Sequence, residues 1–404
     1  MVRNGAAMRA AFVLLMAAFA GCHTPGAPVP RAPQPAGPVL PDGAREPLEP
    51  DVSALPTDAP APAARPERYR RLTANECRAL AVAAAPLAST LDAHPDSVPP
   101  AHEKLRPALT KFAHASKLVR GHAADELRTR AAADALTDYF KLAEAEGQLD
   151  LLAATDAELR AQLDDAEKAL AAGLRDRADA PGLRRKLLDL AADRAKLEAA
   201  VAALNASLAT KLGLAPNDAR PLFPADPLRV KPDDVNADAA VATALQYRSD
   251  LNLLRELRDS GSGELADAVL DAANPLLGSV PRDGAIAALC ALAKQPEERR
   301  AARDRVGAVL SARERQAEAE VRAAVALLMG HRSSAAARAL DARAADAKLA
   351  EVRTRADAGQ SVAAELAVAK LDVLKAKGEL LSAAVEWHIA EVKVRAALGA
   401  LARE

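Results

Sequence analysis

Counted in sevens from Leu366, the chain places a large apolar residue at every step: Leu366, Val373, Leu380, Trp387, Val394 and Leu401. Three residues after each of the first five stands an alanine: Ala369, Ala376, Ala383, Ala390 and Ala397. A seven-residue period with a large side chain at one seam position and alanine at the other is a coiled-coil pattern in which helix backbones approach closely. A second stripe, Leu371, Leu374, Leu381, Val385 and Val392, runs beside the first. A helix from Gly359 to Glu404 with two apolar faces therefore expects neighbours on more than one side. The large column, Trp387 included, is assigned to helix packing rather than to binding.

The rest of the sequence points the same way. Half of it is hydrophobic, yet aromatics make up only 2% and isoleucine occurs only at Ile286 and Ile389. Strand-forming residues are scarce, so the expectation is an all-α fold of long antiparallel coiled-coil helices. Basic and acidic residues, 54 against 55, are interspersed along the helical stretches. That pattern reads as solvated helix surfaces and lacks the basic face a nucleic-acid partner requires.

The first 21 residues carry Arg3 and Arg9, the apolar run Ala10 to Ala20, and Gly21 ahead of Cys22. This is the layout of a bacterial secretory signal, too short to remain as a membrane-spanning helix. Ala20-Gly21-Cys22 resembles the lipobox of bacterial lipoproteins, which implies lipid attachment at Cys22. His23 after it, in place of aspartate, resembles an outer-membrane address. The alternative is an ordinary cleaved signal with an incidental cysteine. Residues 22–66 hold 13 of the 27 prolines. Proline at that density excludes helix and makes a semi-rigid, extended tether.

The folded body is expected from Tyr69. Thr73 followed by Glu76 is a capping box that opens a helix, and the Ala-rich run after it stops near Pro86. From Ala108 to Gly173 the chain has no proline and a helical leucine rhythm, which Gly147 interrupts without breaking. A cleaner run, Leu183, Leu187, Leu190, Leu197, Val201, Leu204, Leu208 and Leu212, ends at Gly213, a C-cap glycine with Pro216 beyond it. After a proline-rich connector, Asp234 or Asn236 can cap the next helix. Lys211-Leu212-Gly213 and Ala397-Leu398-Gly399 share a Leu-Gly finish. Arg177 to Gly182 before the first run corresponds to Arg355 to Gly359 before the second. The expectation is a duplicated unit, with a first helical repeat over residues 67–226 and a second over 227–404.

Ala244-Leu245-Gln246-Tyr247-Arg248-Ser249-Asp250-Leu251 resembles the "AL..RPDL" segment that opens the second repeat in the TolC family of outer-membrane efflux proteins, with Ser249 in place of proline. Leu72 to Pro86 is similar to the matching segment of the first repeat, and Arg355 to Leu401 to the family's terminal long helix. The resemblance covers about residues 69–404. It implies a homotrimer whose long helices form a periplasmic tunnel, with a membrane-fusion protein and an inner-membrane pump as partners and four strands per protomer in a shared barrel. The slots for those strands, near residues 87–115 and 270–305, hold Pro95-Asp96-Ser97-Val98-Pro99-Pro100 and Asn274-Pro275-Leu276-Leu277-Gly278-Ser279-Val280-Pro281. Neither is a usable spanning strand, which leaves the transmembrane strands in doubt. The run Gly284 to Ala293 reads as a short helix.

No chemistry competes with this reading. The seven histidines show no metal-ligand spacing, and His114 and His122, eight apart, are read as a surface pair. Cys77 and Cys290 are either two buried thiols or a disulfide joining the repeats. No catalytic residue, cofactor or metal site is expected. The expected function is an outer-membrane-anchored, TolC-like component of a tripartite efflux or secretion system. The alternative is a non-transporting periplasmic coiled-coil scaffold lipoprotein.

Overall fold

The computed structural model describes residues 69–92, 106–173, 180–215, 220–231, 235–260 and 296–403. Cys22, the tether, Cys290, the run Gly284 to Ala293 and the two proline-bearing segments quoted above, 95–100 and 274–281, lie outside the described residues, while the described parts of the two slots, 87–92, 106–115 and 296–305, are helical. Ten elements follow in order: β1 (Arg70–Leu72), α1 (Ala74–Ala84), α2 (Pro86–Asp92), α3 (Arg106–Ala171), α4 (Ala180–Lys211), β2 (Leu222–Pro224), α5 (Ala237–Tyr247), α6 (Ser249–Ser260), α7 (Pro296–Asp357) and α8 (Ala363–Ala397).

The helices begin and end where their chemistry dictates. Thr73 caps α1: its hydroxyl accepts from the Glu76 N–H, and the Glu76 carboxylate accepts in return from the Thr73 N–H at 2.8 Å. Asn236, not Asp234, caps α5 through the Ala239 N–H at 3.0 Å. Among the described residues four glycines adopt positive φ: Gly173, Gly213, Gly359 and Gly399. At the ends of α4, α7 and α8 the residue after the glycine bonds back five positions, Leu214 to Ala209, Gln360 to Arg355 and Ala400 to Arg395. This is the C-terminal closure that only glycine enters without a Cβ penalty.

The duplication is visible in the backbone, at a register different from the expected one. Gly173 and Gly213 are 40 positions apart (213 − 173), and so are Gly359 and Gly399 (399 − 359). Gly173 is therefore the partner of Gly359. The sequence match of Gly182 with Gly359 is corrected, since Gly182 lies inside the first turn of α4. The opening helix pairs obey their own offset of 163 (237 − 74 and 249 − 86), so α1–α2 corresponds to α5–α6 and Pro86 to Ser249.

Two expectations change. Among the described residues the fold is all-α except for a two-stranded parallel ladder in which Arg70, Arg71 and Leu72 of β1 face Leu222, Phe223 and Pro224 of β2. It ties the start of the body to the connector between the halves. Asp226, just beyond β2, receives the buried Tyr139 hydroxyl at 2.9 Å and also accepts from the Ala74 N–H at the start of α1. The terminal helix is also shorter than Gly359 to Glu404. It ends at Ala397, so Leu401 continues the count of seven from a turn beyond Gly399, though it is fully buried.

Candidate functional site: a helical wall with two edges

Four long helices make up the body. α4 packs on α3, α3 on α8 and α8 on α7, giving the lateral order α4-α3-α8-α7. The short helices sit against this wall: α1 and α2 on α3, α5 on α7, and α6 on both α3 and α7.

The column of sevens is buried as α8 packs in the wall, its first members against Leu349 and Val352 of α7. In α8, Val373, Leu380, Trp387 and Val394 are buried, as are the intervening Ala369, Ala383 and Ala390. Leu366 is partly buried in a separate cluster with Leu349, Val352 and Val373. The second stripe divides: Leu381, Val385 and Val392 are buried, whereas Leu371 and Leu374 line a groove. Close approach of α3 to α8 is set by glycine. A Cβ on Gly147 would stand 2.7 Å from a Leu381 methyl, and opposite it the Gln148 amide donates to the Gly378 carbonyl at 3.3 Å. Gly147 thus lies within an unbroken α3, where the missing side chain makes room for a neighbouring leucine.

Trp387 is core, 4% exposed, and its indole meets His388 edge-on. His388 stacks on Phe140 of α3 with ring centroids 4.6 Å apart. Among the described residues, neither the Trp387 Nε1 nor the His388 Nε2 has a hydrogen-bond partner. Burial works against the Glu391 carboxylate, but His388 and Lys231 outweigh it and hold its pKa below the ordinary range.

The edge helices are covered on one side only. Along α4, Leu183, Leu187, Leu190, Leu197, Val201 and Leu204 are partly buried, and only Leu208 and Leu212 are fully so. Leu188 is 72% exposed, and α7 exposes Leu327 and Leu340. One face of the wall forms an open groove of about 820 Å³ to which all four helices contribute. Its floor includes Leu152, Leu190, Leu371 and Leu374, and its rim carries Lys186, Asp189, Asp193 and Arg338. Among the described residues no helix is long and apolar enough to cross a bilayer, which says nothing of a β-barrel.

Each repeat has a corner where its two short helices meet, and the C-cap glycine of its last helix presses on that corner. A Cβ on Gly213 would lie 3.0 Å from the Ala84 Cβ, and one on Gly399 would lie 3.1 Å from the Arg248 Cα. Ala85 and Arg248, the corner residues, both leave the helix at an extended ψ, 96° and 127°. The first corner is opened by Pro86, which disfavours helix at the residue before it. The second has Ser249 there and uses charge. Arg248 forks onto Asp250 (Nε–Oδ1 3.0 Å, Nη2–Oδ2 2.9 Å) and reaches Glu320 at 2.7 Å; Arg313 bonds the same two carboxylates at 2.8 Å each. The ring Arg248–Asp250–Arg313–Glu320 closes on itself, with Arg248 and Asp250 side chains 8% and 3% exposed. Burial pulls the Arg248 guanidinium down, yet its carboxylate partners hold it above its usual value. Burial likewise raises Asp250, and the two arginines outweigh it and hold it below the ordinary carboxylate range. Sequence inspection could not find this ring, because its members are joined across 63 to 72 positions.

The other sequence candidates are scattered. Cys77 is a fully buried free thiol of α1, pushed up to about 12 by burial and then by Asp138. His122 is half-buried on α3, where burial lowers its pKa, while the His114 side chain lies outside the described residues. Among the described residues no group of three or more His, Cys, Asp or Glu side chains is arranged to hold a metal ion.

Comparison with known proteins finds relatives only through shape. No protein-family model matches the sequence, and no curated protein does. Among solved structures, the outer membrane protein VceC of Vibrio cholerae aligns over 81% of this chain and 92% of its own at 13% identity, with a TM-score of 0.53. CusC, solved in a study of folding and transmembrane channel formation, aligns over 82% of this chain and 96% of its own at 14% identity and TM-score 0.54. The outer-membrane channel OprN aligns over 74% of this chain and 72% of its own at 17% identity and TM-score 0.54. With its two repeats and its four-helix wall, this chain has the TolC-like fold of the outer-membrane channels.

Proposed function

We propose that the chain is the outer-membrane component of a tripartite efflux or secretion system. In this reading it is anchored by lipid at Cys22, held off the membrane by the 22–66 tether, and closed into a conduit by three copies joining edge to edge. Its partners would be a membrane-fusion protein and an inner-membrane pump, and it would conduct without catalysis. The observation that carries the reading is the wall itself. Its lateral order leaves α4 and α7 as edges, both with leucines unburied in one copy. A monomer leaves those stripes in water, whereas a ring of copies covers them, a gain of roughly 25 cal/mol per Å² of apolar surface. The mass of the full chain extracted in detergent tests this. A trimer is expected at micromolar concentration, and a clean monomer contradicts the ring.

A second reading, a periplasmic scaffold that bridges without conducting, is favoured by one length. Only 13 residues, 93–105, link α2 to α3 (106 − 92 − 1). Two barrel strands need about 9–11 residues each. Channel and scaffold separate in planar bilayers, where the scaffold conducts nothing.

A further inference from the structure

The two repeats build the same corner from opposite materials. Their correspondence is fixed by a pair of salt bridges that keeps its place and reverses its sign. In the second repeat Arg255 of α6 bonds Glu314 of α7 at 2.8 Å. The positions equivalent by the offsets found above, 163 for the short helices and 186 (359 − 173 and 399 − 213) for the long ones, are Asp92 and Arg128, and those two also form an ion pair. By the same offsets Arg248 stands for Ala85, Asp250 for Leu87, Arg313 for Leu127 and Glu320 for Asp134. The first corner is accordingly an apolar cluster, Ala85, Ala88 and Ala124 with Leu91, Leu127 and Ala131 packed on it, and Pro86 fixes its turn. The second has neither the proline nor that cluster, and the charged ring takes their place.

We infer that the second corner is an acid-labile joint: protonation of its carboxylates frees the α5–α6 turn and the adjoining stretch of α7, while the apolar first corner stays closed. Opening a buried ring by neutralising one member strands the remaining charges away from water, which is where such a pair is most sensitive. An apolar contact has no proton to gain. Other groups surround the ring. From α3 comes Glu126, held above the carboxylate range by burial and then by the Asp250 charge, with Arg130 bonded to it. From α6 and α7 comes the Arg255–Glu314 pair, and from α8 the Ala397 carbonyl, which Arg248 reaches at 3.4 Å. The sign is fixed by the direction of the shifts. Asp250 and Glu320 are both held below their ordinary values, so their contribution is complete above the ordinary carboxylate pKa and is lost as pH falls through the depressed one. The window therefore lies below about pH 4.

Hydrogen exchange of the full detergent-extracted chain, followed peptide by peptide from pH 7 to pH 3 and corrected for intrinsic rates, tests the inference. Amides of 249–257 and 310–322 are expected to lose at least about tenfold in protection across the window, with 86–91, on the apolar side of the first corner, unchanged. Glu320→Gln, at the more exposed carboxylate of the ring, should produce part of that loss at pH 7. Adding Ser249→Pro to it should restore protection, by giving the second corner the turn device of the first. Equal loss at both corners, or no loss at the second, overturns the inference. So does a Glu320→Gln chain as protected as the parent at pH 7.

Discussion

At the residue scale, Trp387 separates packing from polar function. Its place in the heptad column reads as core packing, and the residue is buried. The orphaned Nε1 is not legible in the sequence, because a hydrogen-bond deficit depends on neighbours from other helices that the sequence does not place beside it. Since the indole N–H makes no bond, losing it removes nothing polar. Trp387→Phe is therefore expected to cost at most about 1.5 kcal/mol of stability, whereas Trp387→Ala should cost about 3–5 kcal/mol through the cavity it leaves. Denaturant unfolding of the two variants checks the difference, and comparable losses would mean that the N–H has a partner. The charged ring teaches the complementary lesson. Arg248 and Asp250 could be read as parts of a resemblance, but Arg313 and Glu320 belong to a helix that no local pattern joins to them.

At the element scale, the ends of helices were more legible than their correspondence. Thr73, Glu76, Asn236, Gly213 and Gly399 act as caps where local chemistry places them. Gly173 is hidden as a repeat marker because Pro181-Gly182 offers a louder punctuation eight and nine positions on, and helix α4 absorbs both into its first turn. The three-residue strands β1 and β2 escaped because so short an extended segment has no period; its partner across the fold decides it. The four positive-φ glycines separate backbone strain from contact. Gly173→Ala meets nothing within 4 Å and should cost only about 1 kcal/mol for its left-handed conformation. Gly399→Ala adds a contact of 3.1 Å with backbone at Arg248 and should cost clearly more, about 2 kcal/mol. Thermal unfolding of the pair orders them, and equal shifts would mean that the α8 end does not press on the corner.

At the scale of the whole molecule, the helical wall follows from the sequence's own arithmetic. Long proline-free stretches and two stripes of sevens require helices that pack on each other side by side, and four of them do so in one order. What the sequence did not reveal is which helices become edges. That depends on the α3–α8 contact, where Gly147 leaves room for Leu381, which seats one long helix of each repeat at the centre and leaves α4 and α7 outside. The edges in turn leave leucines of a single copy uncovered. The proposed function has copies of this wall enclose a passage through which solutes move. Planar-bilayer recording of the purified full chain tests it most directly: discrete, reproducible conductance steps are expected, and a bilayer that stays silent at saturating protein would contradict it.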